Sequence, residues 1–365
     1  MDEGHSLRSG LSPELGKEDF AEEQSSLSDD RTMKESQNVL VTGGAGYVGS
    51  VLVPKLLAKG FHVTVLDLYI YAQDALDAVK EHPKLEQIKG DIRDQALLEK
   101  VIPETDCLIH LACISNDPSF ELDPRLGKSI NYDAFIDLVD VSKRSGVRRF
   151  IYASTSSVYG VKEEENVTED MPLEPLTDYS KYKALCEDVL LEAQPPDFTP
   201  VVIRSATVCG YSPRQRLDLI VNILTNQAIN TGRIKVMGGT QKRPNIHIED
   251  ITDLYLQLVE LPEKMIAGKI FNAGYENYEL LELADIVKRV AGNGSIEIVT
   301  SPTNDPRSYH ISSAKIKNEL GWEPKYTIED AVISLCNAFK AGKIPNSLDD
   351  VRYYNVKAMQ AAQLK

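Results

Sequence analysis

The stretch Asn38-Val39-Leu40-Val41-Thr42-Gly43-Gly44-Ala45-Gly46-Tyr47-Val48-Gly49 decides the fold. A short apolar run that ends in glycines reads as a buried parallel strand. The pattern from 48 to 59 is helical and stops at Gly60. The three glycines of Gly43-x-x-Gly46-x-x-Gly49 have separate physical jobs. The first makes a tight turn, the second lets the backbone approach a pyrophosphate, and the third permits close packing of helix on strand. The helix start at Tyr47 and Val48 then offers free N–H groups and a partial positive charge to phosphates. A glycine triplet alone is weak evidence; its place between strand and helix makes it a dinucleotide site.

Working outward, a second strand over 61–66 ends at Asp67, 18 residues beyond Gly49. A carboxylate there binds the ribose hydroxyls of an adenosine and repels a 2′-phosphate, which predicts NAD rather than NADP. A third strand, 85–89, closes at Gly90-Asp91, and Asp91-Ile92 can cover the adenine. The alternation continues with a helix over 95–101, a strand over 106–111, a helix over 129–145, a strand over 149–153, a helix over 179–193 and a strand over 200–204. This is the pattern of an α/β fold, a doubly wound parallel (Rossmann) sheet with helices on both faces. After about 205 the pattern loosens into shorter mixed elements rich in Arg, Asn, Gly and Pro, which predicts a smaller mixed C-terminal substrate lobe. The expected organisation is a disordered acidic tail over 1–36, an NAD-binding domain with the catalytic residues over 37–205, a substrate lobe over 206–342 with segments returning to the main sheet, and a polar extension over 343–365 that wraps the surface or a partner subunit.

Composition bounds the function. Of 365 residues, 42% are hydrophobic and 26% charged, which suits a soluble globular chain. No apolar run reaches the roughly 20 residues of a membrane span, and no secretory leader is recognisable. Residues 1–36 hold ten acids against four bases, so −6 of the formal −15 charge lies in the tail and −9 in the rest. An acidic protein repels nucleic-acid backbones and anionic membranes, so neither is an expected partner. Five cysteines without CxxC spacing argue against structural zinc and disulfides and fit a reducing cytoplasm. No metal site is expected, and His247, without a ligand-spaced partner, reads as a buried structural histidine. His110 reads likewise as a backbone and packing position near the cofactor.

The reacting groups stand in Tyr179-Ser180-Lys181-Tyr182-Lys183. Tyr179 and Lys183 are four apart, on one helix face. A phenol with an ordinary pKa of about 10 is a poor base at neutral pH, but a neighbouring ammonium favours the phenolate. Upstream, Tyr152-Ala153-Ser154-Thr155-Ser156-Ser157 puts hydroxyls at the carboxyl end of a strand, where such sheets bind ligands.

Together these segments resemble the extended short-chain dehydrogenase/reductases of the NAD-dependent sugar-nucleotide epimerase/dehydratase family, over essentially 38–340. The resemblance rests on the glycine loop, Gly90-Asp91-Ile92-Arg93-Asp94, His110-Leu111-Ala112, Ser156-Ser157-Val158-Tyr159-Gly160, Tyr179-x-x-x-Lys183, Arg243-x-x-Ile246-His247-Ile248-x-Asp250 and Leu320-Gly321-Trp322. It implies Tyr179 as general base, Lys183 on the nicotinamide ribose and Thr155 polarising the reacting oxygen, with Leu111 and Ala112 among the cofactor contacts. It also implies a homodimer through the helices 129–145 and 179–193.

Two departures narrow the chemistry. Dehydratases of the family carry an acidic pair after the polarising threonine, and here Ser156 and Ser157 stand there, which argues against elimination of water. The family's substrate-holding Asn is Thr207 in Thr207-Val208-Cys209-Gly210. Arg214, Arg243 and Arg307 are candidates to clamp a substrate diphosphate, because guanidinium forks bind such oxygens bidentately. The reading that follows is oxidation at C4 of a nucleotide-linked sugar, as a 4-epimerase. A net 4-dehydrogenase or 4-ketoreductase uses the same groups, and a non-catalytic NAD-binding scaffold is the different-class alternative, disfavoured by the complete set of reacting groups.

Overall fold

The structure, a computed structural model, describes residues 37–164, 166–193, 197–292, 295–303, 308 and 310–364. The tail expected over 1–36 lies outside the described residues. The first half of the chain runs β1 (Asn38–Thr42), α1 (Gly49–Ala58), β2 (His62–Asp67), β3 (Leu85–Lys89), α2 (Gln95–Val101), β4 (Cys107–His110), α3 (Asp117–Phe120), α4 (Pro124–Lys128), α5 (Ala134–Arg144), β5 (Arg149–Thr155), α6 (Asp178–Glu192) and β6 (Thr199–Ser205). The second half runs β7 (Thr207–Cys209), α7 (Ile220–Thr231), β8 (Arg233–Met237), β9 (Lys242–His247), α8 (Ile248–Glu260), α9 (Glu263–Ile266), β10 (Lys269–Ala273), β11 (Glu276–Glu279), α10 (Leu280–Ala291), β12 (Glu297–Ser301), α11 (Ala314–Leu320), α12 (Ile328–Lys340) and α13 (Asn355–Ala362).

Seven strands form one parallel sheet in the order β10-β6-β5-β4-β1-β2-β3. Successive side chains of a strand point to opposite faces, and both faces are covered. Val39 and Val41 of β1 pack with Leu52 and Leu56 of α1 on one side, in a core that also holds Leu254 and Leu258 of α8. Leu40 points to the other core, with Phe135 and Leu138 of α5 and Cys186 of α6. That two-sided burial is why the strands read as continuous apolar runs. The chain leaves β1 for one edge through β2 and β3, then returns to place β4 on β1's other side. The crevice opens at that switch point, at the carboxyl ends of β1 and β4.

Three features differ from expectation. The helix expected over 129–145 is α5 preceded by a widened π-turn, Ser129–Asp133. In that turn Asn131 accepts from the Ile114 N–H at 2.8 Å and donates to its carbonyl at 2.9 Å, so a buried side chain serves the loop after β4. The region after 205 is not made of short elements alone: α7, α8, α10 and α12 have 12 or 13 residues each. Helices α7, α10 and α12 enclose a separate core around Leu224, Leu283 and Val332, beside the parallel pair β8–β12. The C-terminal extension is also more than a polar wrap, since α13 buries Ala358 and Met359, and Met359 joins the α5–α6 core.

The sheet is tied to α8 by one charge. Arg149, at the start of β5 and 0% exposed, donates to the carbonyls of Leu258 at 2.7 Å, Val259 and Leu261 at 2.7 Å. These are the free carbonyls at a helix C-terminus, the negative end of its dipole, so the guanidinium meets both an acceptor shortage and a field. Replacing Arg149 by Met should destabilise the fold by about 3 kcal/mol, through buried acceptors left unmet. Urea unfolding measures this, and a change under about 0.5 kcal/mol would mean that water replaces the guanidinium at those carbonyls.

Candidate active site

The glycine loop is as tight as backbone permits. Gly43 has φ +75°, and a Cβ on it would lie 2.6 Å from the Ala112 nitrogen after β4. A Cβ on Gly49 would lie 2.5 Å from the Gly44 carbonyl oxygen. No side chain fits at either place, so the loop lies flat on the switch point with the first turn of α1 facing the crevice. There His110 Nδ1 and Thr42 Oγ1 are 2.7 Å apart, which joins the ends of β4 and β1. Burial lowers the His110 pKa to about 3, so the ring is neutral, and it stacks on Tyr152.

The crevice is a cleft of about 360 Å³. Gly43, Gly46, Tyr47, Val48 and Gly49 line one wall, with Asp67, Asp91 and Ile92 beyond them. Leu111 and Ala112, which lie against Gly43, line it too, as do Thr155, Tyr179 and Lys183. Thr207, Arg214 and Arg243 face the same cleft from the second half of the chain, and Arg307 lies outside the described residues. Asp67 accepts from the backbone N–H of Ala45 at 3.0 Å and of Tyr69 at 2.8 Å, while burial pushes its carboxyl up from the ordinary range. The Asp91 carboxylate is paired with Arg93 at 2.6 Å, so its oxygens are already engaged beside the cleft.

Helix α6 starts where it does because Thr177 and Ser180 cap each other's backbone, and Thr177 Oγ1 also donates to Asp117 at 2.5 Å. That start fixes Tyr179 in the first turn and Lys183 one turn on. Lys183 is 3% exposed, donates from Nζ to the Ala153 carbonyl at 2.7 Å and lies over the Tyr152 ring. Thr155, the last residue of β5, accepts from the Ser157 N–H at 3.2 Å and caps the short turn Ser156–Tyr159.

Beneath these groups runs a buried polar chain. Glu187, one turn after Lys183, accepts from Ser154 Oγ at 2.5 Å and pairs with Arg204 of β6 at 2.7 Å. Arg204 donates to the Tyr159 hydroxyl at 2.8 Å, and that hydroxyl donates to Asn272 of β10 at 2.7 Å. The chain fixes α6 against β5, and so Tyr179 and Lys183 against Thr155.

Among the lining residues that the sequence did not mark as site residues are Tyr71, Arg216, Asn355 and Leu364. Arg216 pairs with Asp218 at 2.9 Å and donates to Ser115 Oγ at 3.1 Å, and Asn355 donates to the same Ser115 oxygen at 2.9 Å. Asn355 and Leu364 belong to the C-terminal extension. The spacing Val351, Tyr354, Ala358, Met359, Ala362 is a helical face that could have flagged that segment. His247 is a helix cap, accepting from the Glu249 N–H at 3.1 Å, and stacks on Tyr326. Among the described residues, no three His, Cys, Asp or Glu side chains gather as metal ligands.

The family model of the NAD dependent epimerase/dehydratase family matches residues 39–274. A UDP-glucose 4-epimerase of Lactobacillus helveticus is 30% identical over 81% of this chain and 94% of its own length. A dTDP-glucose 4,6-dehydratase of Streptomyces griseus is 31% identical over 81% of this chain and 92% of its own. Among solved structures, a UDP-glucuronic acid 4-epimerase from Bacillus cereus, in complex with UDP-glucuronic acid and NAD, superposes with a TM-score of 0.76. It is 25% identical, and the match covers 84% of this chain and 99% of that one.

Two outcomes are expected of the site. Glu187→Leu should cost about 3–5 kcal/mol in urea unfolding, because it strands the Arg204 guanidinium, and adding Arg204→Met should recover most of it. Asp67→Ser should narrow the preference for NAD over NADP by about tenfold or more in parallel titrations, since the repulsion of a 2′-phosphate goes with the carboxylate.

Proposed function

This chain belongs to the NAD dependent epimerase/dehydratase family, and we propose that within it the protein is a 4-epimerase of nucleotide-linked sugars. The enzyme is NAD-dependent, as the family is. The residues present fit the cofactor: Gly43 and Gly49 have room for no Cβ because the Ala112 and Gly44 backbone lies against them, which holds Gly46 and the start of α1 on the cleft, and Asp67 at the end of β2 lines the same cleft. The observation that carries the epimerase reading is the end of β5, where Thr155 is followed by Ser156 and Ser157. Expelling a hydroxide at neutral pH needs an acid near its own pKa, which an alkyl alcohol is not. The carboxylates that line or border the cleft are engaged: Asp67 with the Ala45 and Tyr69 N–H groups, Asp91 with Arg93, Asp117 with Thr177 and Asp218 with Arg216.

The glycine loop and Asp67 would hold NAD, which when bound would supply reversible hydride acceptance for the sugar's C4. The protein handles the proton. Tyr179 removes it from the C4 hydroxyl and returns it, and the buried Lys183 ammonium one helical turn away favours the phenolate that does so. The Thr155 hydroxyl hydrogen-bonds the C4 oxygen in both directions. Thr207, Arg243 and Arg307 hold the nucleotide-sugar, a role supported by the placing of Thr207 and Arg243 on the cleft wall. The UDP-sugar epimerases among the relatives and solved structures support a uridine nucleotide.

In this reading residues 37–205 bind the cofactor and carry the reacting groups, 206–342 form the substrate lobe, and 343–365 add a cover to the cleft. The enzyme is a cytoplasmic homodimer joined through α5 and α6. Ile136 on α5, 41% exposed, supports the interface, and five unpaired cysteines support the compartment. No helix among the described residues is long and apolar enough to cross a membrane.

Purified protein given UDP-, GDP- and TDP-sugars should interconvert one C4 pair, with no lasting rise at the reduced-nicotinamide absorbance band. A 4-keto-6-deoxy product, or reduced cofactor accumulating in step with oxidised sugar, would overturn the epimerase reading. Tyr179→Phe should cut turnover by about 10²–10⁴-fold while NAD stays bound.

A further inference from the structure

Arg214 was grouped above with the arginines that hold a substrate diphosphate, but its surroundings belong to the other ligand. It is 3% exposed, yet it makes no ion pair among the described residues, whereas Arg216 two positions on is matched by Asp218. Its guanidinium lies 4.0 Å from the Tyr71 ring centre, and Nη2 donates to Asn355 Oδ1 at 2.5 Å. Nε is buried and has no hydrogen-bond partner among the described residues. A buried guanidinium with an unmet donor on the wall of a cleft is expensive unless an anion completes it. Burial and the neighbouring Arg216 lower its pKa to about 10, the direction expected of a cation short of negative charge.

The position says which anion. The Arg214 N–H donates to Ser50 Oγ at 3.3 Å, which pins the residue to the first turn of α1. The strand-like strap before it is sewn to the same turn: Ser212 Oγ donates to the Tyr47 carbonyl at 2.7 Å, and the Tyr47 hydroxyl donates to the Gly210 carbonyl at 2.7 Å. Asp67, the ribose-facing carboxylate, is among the charges that act on Arg214, and Gly46 shares its cleft wall. The α1 N-terminus supplies N–H groups and a partial positive charge, which is where a dinucleotide's phosphates sit. A planar fork beside it can meet the same oxygens bidentately.

We propose that Arg214 is a ligand of the cofactor's diphosphate, stacked on Tyr71 and anchored by Asn355, and not a clamp on the sugar-nucleotide. The strap 210–218 and the C-terminal helix thereby close over the dinucleotide and hold it between turnovers. This rests on the NAD reading above.

Calorimetric titrations of cofactor-stripped protein with NAD, ADP, AMP and UDP test it. In wild type, ADP should bind more tightly than AMP. In Arg214→Gln the NAD and ADP affinities should fall by about tenfold or more, as loss of charge-assisted bonds implies. AMP and UDP should change by less than about twofold, and the ADP-over-AMP margin should shrink accordingly. A residue with only a structural role would weaken AMP and ADP alike, which overturns the proposal, as does a loss of UDP binding with NAD unaffected. Should Arg214→Gln not fold, Asn355→Ala keeps the guanidinium and removes its anchor. It should weaken ADP more than AMP, and equal effects overturn the proposal. Wild-type protein that binds none of NAD, ADP or AMP would sink the cofactor reading itself, whereas binding with an intact ADP margin in the variants sinks this inference alone.

Discussion

The close approach of backbone at the switch point is the constraint on which the rest depends. Gly43 after β1 and Ala112 after β4 stand too near for any side chain between them, and Gly49 presses α1 onto Gly44 in the same way. Close contact of bare backbone does two things at once. It brings α1's free N–H groups to the crevice floor, and it lets the β1 and β4 ends carry the neutral His110–Thr42 bridge without a gap for water. An added methyl at either glycine would push helix, loop and strand apart and take the phosphate site with them.

A second constraint holds the chemistry to that floor. Thr155, Tyr179 and Lys183 come from a strand end and a helix that meet only in three dimensions. What keeps them in register is the buried line Ser154–Glu187–Arg204–Tyr159–Asn272, which crosses β5, α6, β6 and β10. Each polar atom in it is costly to bury alone and cheap when every partner is present. Such a line tolerates one arrangement of the four elements and not its neighbours. In the proposed mechanism the placing of Thr155, Tyr179 and Lys183 thus depends on this buried line.

Much of the fold was legible in the chain. The central strands, buried on both faces, are apolar over most of their length, and glycine or aspartate stops mark the ends of β1 to β3, so β1 to β6 were readable within a residue or two. That the glycine loop, Asp67, Thr155, Tyr179 and Lys183 would share one cleft was readable because each belongs to a local pattern with its own physical rationale. The break before α5 was not, since it depends on Asn131 finding the Ile114 peptide across a loop. The helices of the second lobe carried a legible signal that the reading passed over: α10, for one, buries Leu280, Leu283, Ala284 and Val287, a three- and four-residue spacing with no glycine inside it. The C-terminal extension looked like a solvated tail because only Ala358, Met359 and a few others of its residues are buried.

Sequence by itself therefore determined the layers and the cofactor class and marked the candidate reacting pair, all through local spacings. Tertiary structure alone decided which charges meet. Arg214 and Arg216 are two residues apart and chemically alike, yet Arg216 is paired with Asp218 and Arg214 stands beside Tyr71 and Asn355 with no ion pair among the described residues. Asn355 lies 141 positions from Arg214 along the chain. No local pattern can encode a partner at that distance, because Coulomb and hydrogen-bond energies depend on separation in space, and the packing of the whole domain sets that separation.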